Sequence, residues 1–328
     1  MKESFSLVSE EVLSALKNNF GSFLTIRELK NSFNLPPAMI AKAIKELKSW
    51  GYAVEGEEYK GYRLAQIPDL LFPLEIKDGL KAKVFGRKIH SFRTIGSTNE
   101  LGFTLAENGA PEGTLIVAEQ QTKGKGRLGR SWYSPPNLGI WMSLILRPSI
   151  PPAKASGLSL CAGLALALTI NELTGLKVQL KWPNDCLIDG KKVGGILLEL
   201  SAEIDRVNFV IAGIGINVNQ SEKDFPKNLV KKATSLRIEK KENINRLALL
   251  RLFLQKFERI YLDFKKFGLV NYHQEIKDHF FLLGKNIKLK LGGKIIKGKA
   301  EDIDENGALI IQTKKGEKKI FCGEVTII

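Results

Sequence analysis

The chain reads as an α+β multidomain protein in three parts: a small helical module with a hairpin, a larger α/β domain with a mixed sheet, and a small closing β-barrel. Three observations predict this. Residues 1–66 string amphipathic helical stretches ahead of a glycine-bearing hairpin. Residues 67–282 mix buried strand runs with a long apolar helix, and residues 283–328 change to short alternating strands. A length of 328 residues accommodates that many cores, and 44% hydrophobic with 26% charged residues argues against wholesale disorder.

In the first part, "EEVLSALKNNF" is amphipathic, and "TIRELKNSFNL" opens at Thr25 with Glu28 at capping-box spacing. "AMIAKAIKELKSWG" follows Pro36 and Pro37. Ile40, Ala43, Ile44 and Leu47 share one face of this helix, with Lys42, Lys45 and Ser49 opposite. Pro37 suits the first helical turn and Gly51 the stop. "YAVEGEEYKGYRL" then alternates about a turn, as a two-stranded wing does. Together these spell a winged helix-turn-helix over residues 1–66, for which Lys42, Lys45 and the wing's Lys60 are the candidate DNA contacts. A helical packing module without a DNA role is the competing reading. It is favoured by nine Lys+Arg against eight Asp+Glu in this part, and by prolines where a recognition helix opens with Ser, Thr or Arg.

The middle part starts with a linker, residues 67–82, containing a short helix. "TLIVAEQQT" and "LGIWMSLILRP" are strand-like, and "ASGLSLCAGLALALTINEL" is a long apolar helix. "VQLKWPNDCLIDGKKVGGILLELS" supplies strands joined at an Asp189-Gly190 hairpin turn, and "RVNFVIAGIGINVN" another buried strand. Helices follow in "NINRLALLRLFLQKFERIYLDFKKFG". The last part carries turns at Gly292-Gly293 and Asn306-Gly307, the pattern of a small barrel.

The chemical inventory is narrow. The three histidines, His90, His273 and His279, stand near no nucleophile motif and read as surface or core residues. Cys161, Cys186 and Cys322 are far apart, which fits a reducing compartment and offers neither zinc site nor disulfide frame. No uninterrupted apolar run reaches the ~18 residues of a membrane span, and the N-terminus lacks a signal-peptide core, so a cytoplasmic protein with no membrane role is expected. The formal net charge of +15 calls for an anionic partner.

"QTKGKGRLGRSWYSPP" holds a G-x-G-x-x-G string at Gly124, Gly126 and Gly129. A dinucleotide turn needs a helix after the third glycine and an acidic residue ~20 positions on. Pro135 and Pro136 forbid that helix, and no acid stands near position 149. What remains is a glycine-rich loop with Lys123, Lys125, Arg127 and Arg130, suited to neutralising phosphate. Trp132 downstream either stacks on a base or anchors the loop. Lys181 ends a strand beside Asn184 and Asp185, where a phosphate or carboxylate becomes a plausible partner. Ser97, Thr98 and Asn99 place three small polar side chains in a row, as a binding site or as a helix cap. An enzyme built from these parts works by positioning and charge neutralisation.

Taken in order, S-T-N, E-Q-Q, G-K-G-R-L-G-R-S-W, K-W-P-N-D, K-V-G-G-I-L-L-E and G-I-G-I-N-V-N resemble the biotin protein ligases over the whole chain. The winged helix and the terminal barrel resemble those of the bifunctional class, both ligase and biotin operon repressor. The resemblance implies a biotin/lipoate-ligase-like catalytic domain, an SH3-like C-terminal barrel, and a two-step reaction. In it ATP activates biotin to biotinyl-5'-AMP, and a lysine of a biotin carboxyl carrier protein, that of acetyl-CoA carboxylase, receives the biotin. It implies Ser97, Thr98, Asn99, Gln121, Lys125, Gly126, Arg127, Lys181, Gly213 and Gly215 as biotin contacts. Arg127, Arg130, Trp132, Lys181 and Asn217 are the implied adenylate contacts, with Lys181 and Arg127 catalytic. Mg2+ accompanies ATP, with no protein side chains implied as its ligands. Operator DNA and a homodimer holding biotinyl-5'-AMP complete the implied partners.

Two positions depart from the family pattern. Lys125 replaces an arginine of G-R-G-R, so a point charge stands for a planar fork. Pro36-Pro37 replace the polar opening of the recognition helix, where phosphate contacts are reduced. The loop is expected to be disordered without ligand and to fold over biotinyl-AMP.

Overall fold

The computed structural model describes residues 6–57, 59–291 and 294–328, in two compact units, Met1–Asp78 and Gly79–Ile328. The expected Gly292-Gly293 turn and the first five residues lie outside the described residues.

The first unit runs α1 (Leu7–Asn18), α2 (Ile26–Phe33), α3 (Pro37–Ser49), β1 (Ala53–Glu57), β2 (Gly61–Gln66) and α4 (Pro73–Lys77). Helix α2 starts in the expected capping box: Glu28 N donates to Thr25 Oγ1 at 3.2 Å and Thr25 N to Glu28 Oε2 at 2.7 Å. Asn34, left-handed at φ 51°, turns the chain into Pro36, and Pro37 opens α3 with no side-chain cap. Ile40, Ala43, Ile44 and Leu47 are buried, while Lys42, Lys45 and Lys60 are exposed. The wing pairs β1 antiparallel to β2.

The stretch expected to be a linker to the second unit belongs to this one instead. Phe72 is buried in the same core, meeting Trp50 edge-on at 4.4 Å, with Ile67, Leu70 and Leu74 packed beside it. Glu75 accepts from Lys17 Nζ at 2.7 Å and from Tyr52 Oη at 2.9 Å. Three short helices leave apolar surface open, and these side chains cover it.

The second unit begins with β3 (Ile89–Ile95), α5 (Thr98–Glu107), β4 (Leu115–Gln121), β5 (Gly139–Leu146) and α6 (Ser156–Thr174). It continues with β6 (Gln179–Lys181), β7 (Asp185–Ile188), β8 (Lys191–Ala202) and β9 (Val207–Asn217), then α7 (Leu236–Lys240), α8 (Arg246–Phe267) and α9 (His273–His279). These seven strands form one mixed sheet, β3-β4-β5-β9-β8-β7-β6, parallel only between β3 and β4. The β7–β8 hairpin turns at Asp189 and Gly190, both with positive φ, as its two-residue loop requires.

The stretch Pro152–Thr174, which includes α6, is long and apolar enough to cross a membrane by length and composition. Its most apolar window is 78% buried inside the unit, as the core helix beneath the sheet. Arg246, at the start of α8, is fully buried; its Nη1 donates to Glu119 Oε2 on β4 at 2.7 Å and to Gly139 O at 3.0 Å.

The terminal segment comprises β10 (Asn286–Leu291), β11 (Lys294–Ile303), β12 (Leu309–Thr313), β13 (Gly316–Ile320) and β14 (Glu324–Ile327). They make an antiparallel sheet in the order β13-β12-β11-β10-β14. It shares one compact unit with the seven-stranded sheet. Trp182 Nε1 donates to Gly307 O at 3.0 Å and Ser156 Oγ to Asn306 O at 3.2 Å, and His273 Nε2 bonds Ile303 O at 2.6 Å. His279 Nδ1 likewise meets Val178 O at 2.8 Å, so both histidines tie elements together.

Candidate active site

The site lies where β4, β5, β8 and β9 present one face to α5 and to the glycine-rich loop. Its floor is three glycines. Gly213 on β9 pairs with Ser143 on β5, and Gly215 with Gly195 on β8. A Cβ at Gly213 would stand 2.1 Å from Asn99 Oδ1, and one at Gly215 would stand 2.4 Å from the Trp132 ring. These positions are therefore glycine because the Asn99 and Trp132 side chains rest directly on the backbone.

The three residues of S-T-N start α5. Ser97 occupies the N-cap position, yet its side chain makes no capping bond, which removes the cap as the reason for the motif. Thr98 N and Oγ1 both donate to Gln121 Oε1, at 2.9 and 3.1 Å, and Gln121 Nε2 donates to Ser134 Oγ at 3.0 Å. Asn99 Nδ2 donates to Glu199 Oε2 at 2.7 Å, while its Oδ1 accepts from Ser143 Oγ at 2.5 Å. This network holds both amides in one orientation. Ser143 and Glu199, which no sequence motif marked, fix Asn99 by these two bonds without lining the pocket themselves.

The loop between β4 and β5 folds back as a small hairpin. Lys125 bridges to Ser131, Trp132 N donates to Gly124 O at 2.8 Å, and Gly129 takes φ +73° in a short turn after Arg127. Ser97, Thr98, Asn99, Gln121, Lys125, Gly126, Arg127, Gly213 and Gly215 line one pocket together. Lys181 and Arg130 line a second, which shares Gly126, Arg127, Trp132, Asn184 and Lys192 with the first. Asn217 lines neither pocket: its buried amide donates to Thr234 O at 2.9 Å and to Lys192 O at 3.4 Å.

The cations are not equivalent. Lys125 Nζ pairs with Glu100 at 3.0 Å, Lys192 with Asp185 at 2.7 Å, and Arg130 with Glu324. The hydrogen bond that Lys125 donates to Glu100 pushes the Lys125 pKa up, so this side chain stays charged. Arg127 instead donates to neutral acceptors, Asn184 Oδ1 at 2.9 Å and Gly323 O at 3.4 Å. The Lys181 ammonium has no carboxylate partner among the described residues. Among the described residues, Arg127 and Lys181 are thus the two cations lining these pockets that have no carboxylate partner. Lys192, which sequence reasoning passed over, also lies 4.9 Å above the Trp132 ring. The Trp132 Nε1 is buried and without a hydrogen-bond partner.

Comparison with known proteins agrees with this geometry. The Biotin/lipoate A/B protein ligase family matches residues 91–217, the Biotin protein ligase C terminal domain residues 282–327, and an HTH domain residues 9–63. The bifunctional ligase/repressor BirA of Bacillus subtilis (strain 168) is 38% identical over 322 residues, 98% of this chain and 99% of that protein. The chain belongs to the biotin protein ligase family. The BirA of Escherichia coli (strain K12) is 30% identical over 310 residues, 94% of each chain. Among solved structures, the biotin protein ligase from Aquifex aeolicus in complex with biotin and ATP superposes with TM-score 0.64 at 33% identity, covering 74% of this chain and 99% of its own. In this biotin protein ligase, then, the glycine floor, the S-T-N network and the two uncompensated cations converge on one pair of adjoining pockets.

Proposed function

We propose that the first pocket takes biotin and the second the ATP phosphates, and that Arg127 and Lys181 stand where the two anions meet. The protein is a bifunctional ligase and repressor of the BirA kind, and this assigns its residues. The observation that carries the assignment is the split among the cations: among the described residues lining the pockets, only Arg127 and Lys181 have no carboxylate partner to compete with an anionic substrate. Biotin's ureido ring offers two N–H donors and one C=O acceptor. The hydroxyls and amides of Ser97, Thr98, Asn99 and Gln121 are matching partners for it.

In the first step, a biotin carboxylate oxygen forms a bond to the α-phosphorus of ATP and the bond to pyrophosphate breaks. Two anions must approach, so the chain's work is to position them and neutralise the charge that builds on phosphorus. Lys181 and Arg127 supply that charge. In the second step the neutral amine of a carrier lysine bonds to the carbonyl carbon, AMP leaves with the electron pair, and the amine's proton passes to solvent. Neither step calls for a nucleophile from this chain.

Mg2+ enters as the counter-ion of the triphosphate. An Mg2+ ion that accompanies ATP keeps several waters and is held largely by the substrate's phosphates. The acceptor is the carrier protein of acetyl-CoA carboxylase, the ligase works in the cytoplasm, and the biotinyl-5'-AMP form dimerises and binds the biotin operator through Lys42, Lys45 and Lys60.

The test is incubation with biotin, Mg-ATP and a carrier domain, with the carrier's mass as readout. A gain of one biotin is expected; an unchanged mass defeats the reading. A ligase whose first unit no longer binds DNA is the second reading, favoured by Pro36 at an uncapped α3 start. A salt-dependent mobility shift on operator DNA with biotin and ATP present supports repression, and no shift at low salt supports the second reading.

A further inference from the structure

The positive charge of this chain is not where its DNA-reading module is. Residues 1–66 are nearly balanced, whereas residues 285–299 hold six lysines and no acid. In the structure, Lys297, Lys299, Lys314, Lys315 and Lys318 line one open cleft of about 940 Å³ on the terminal β-sheet. Some lysines elsewhere are paired with acids, among them Lys17, Lys125, Lys192, Lys256, Lys265, Lys277 and Lys319. None of the five cleft lysines has a carboxylate partner among the described residues. Three nearby acids are engaged with other cations, Asp302 with Lys277, Asp304 with Lys319 and Glu324 with Arg130, and Glu317 stands across from the lining Gln312 at the cleft's edge. Lys297 also stands directly opposite Lys288 on the neighbouring strand, where like charges repel.

We propose that this cleft is a second, sequence-independent binding surface for the phosphate backbone of duplex DNA. The lining chemistry discriminates among polyanions. Protein–protein hot spots are built on Trp, Tyr and Arg and are poor in Lys, and this lining has none of the first three. Single-stranded nucleic acid is held by aromatic stacking platforms, and no aromatic residue lines the cleft. Lys297 and Lys299 are successive outward positions of one strand, about 7 Å apart. A row of point charges at such spacing suits a regular phosphate backbone, which counterion release makes favourable without reading bases. The surface is independent of the operator reading and adds non-specific affinity that a near-neutral winged helix lacks.

The experiment uses the full-length protein and a labelled duplex without an operator, titrated by fluorescence anisotropy across a salt series. Lys297→Gln/Lys299→Gln/Lys318→Gln is compared with Lys223→Gln/Lys227→Gln/Lys231→Gln, which removes equal charge from exposed positions elsewhere. The cleft variant is expected to bind at least tenfold more weakly, with the log–log salt slope shallower by about 3, roughly 0.9 per lost contact. The control is expected to keep the wild-type slope. A turn variant, Lys314→Gln/Lys315→Gln, changes no strand ladder and should move in the same direction. Biotinyl-AMP synthesis at wild-type rate verifies that each variant is folded. Equal losses in cleft and control variants, or no loss in either cleft variant, overturn the proposal. So does unchanged DNA binding with a raised KM for the carrier, which makes the cleft a protein-docking surface. Because no operator is present, failure of repression leaves this result untouched.

Discussion

At the scale of single residues, the site separates charge that is free to act from charge that is already matched. Lys181→Gln removes an ammonium that has no carboxylate to release, so its loss falls on the reaction. Pyrophosphate exchange is expected to drop by about 10²- to 10³-fold, as for removal of one oxyanion donor, with the melting temperature unchanged. Lys125 presents the opposite case. Glu100 holds it at 3.0 Å, and a single ammonium cannot grip two oxygens as a guanidinium does. Lys125→Arg is expected to slow release of biotinyl-AMP several-fold in a stopped-flow chase; equal rates would remove this residue from retention. The cysteines are matched to burial instead. Burial pushes the Cys161 thiol up and the Cys186 thiol up to about 12, while Cys322 is exposed. Iodoacetamide at pH 8 should therefore label one thiol per native chain and three per unfolded chain, by mass. Folded thiol pKa values above the unfolded ~8.5 contribute stability below that pH, and the contribution is lost as pH rises toward about 12.

At the scale of elements, the glycine-rich loop and the α8 start are the two places where geometry makes a prediction. The loop is held to the rest of the unit by a few side-chain contacts, Lys125 to Glu100, Arg127 to Asn184 and Arg130 to Glu324. It should open readily without ligand, and trypsin should cut between residues 123 and 130. Biotin with Mg-ATP should slow that cleavage at least tenfold, read by mass of the fragments; equal rates would contradict a ligand-closed loop. Arg246 is the reverse, a buried cation holding α8 to β4 and β5. Arg246→Met takes from the buried Glu119 carboxyl its Arg246 partner, which costs about 3–5 kcal/mol by the usual measure of broken buried pairs. Urea denaturation checks it, and a loss below about 1 kcal/mol would mean water reaches Glu119.

Much of the element list was legible beforehand, for local reasons. Thr25 and Glu28 form their capping box because both partners lie within one turn, and Asp189-Gly190 make their hairpin because the two-residue loop demands positive φ. The boundary of the first unit was not legible. "IPDLLFPLEI" has the prolines of a linker, and only the open core above α1 and α3 turns its apolar residues inward. Asn217 makes a related point: its motif lies beside the pocket in sequence, and the structure turns its amide to the Lys192 and Thr234 carbonyls.

At the scale of the whole molecule, two compact units divide the labour, and charge is divided with them. The first carries the helix-turn-helix and wing at near neutrality, and the second carries the catalytic sheet together with the terminal strands. The sequence by itself determined the family, the order of parts and the reaction's dependence on positioning, because motifs, caps and turns are written in short stretches. Only the tertiary structure decided which cations remain unmatched. Glu100, Asp185 and Glu324 lie far apart along the chain, yet each silences one lysine or arginine of the site. An ion pair depends on distance in space, and spacing in sequence carries no record of it.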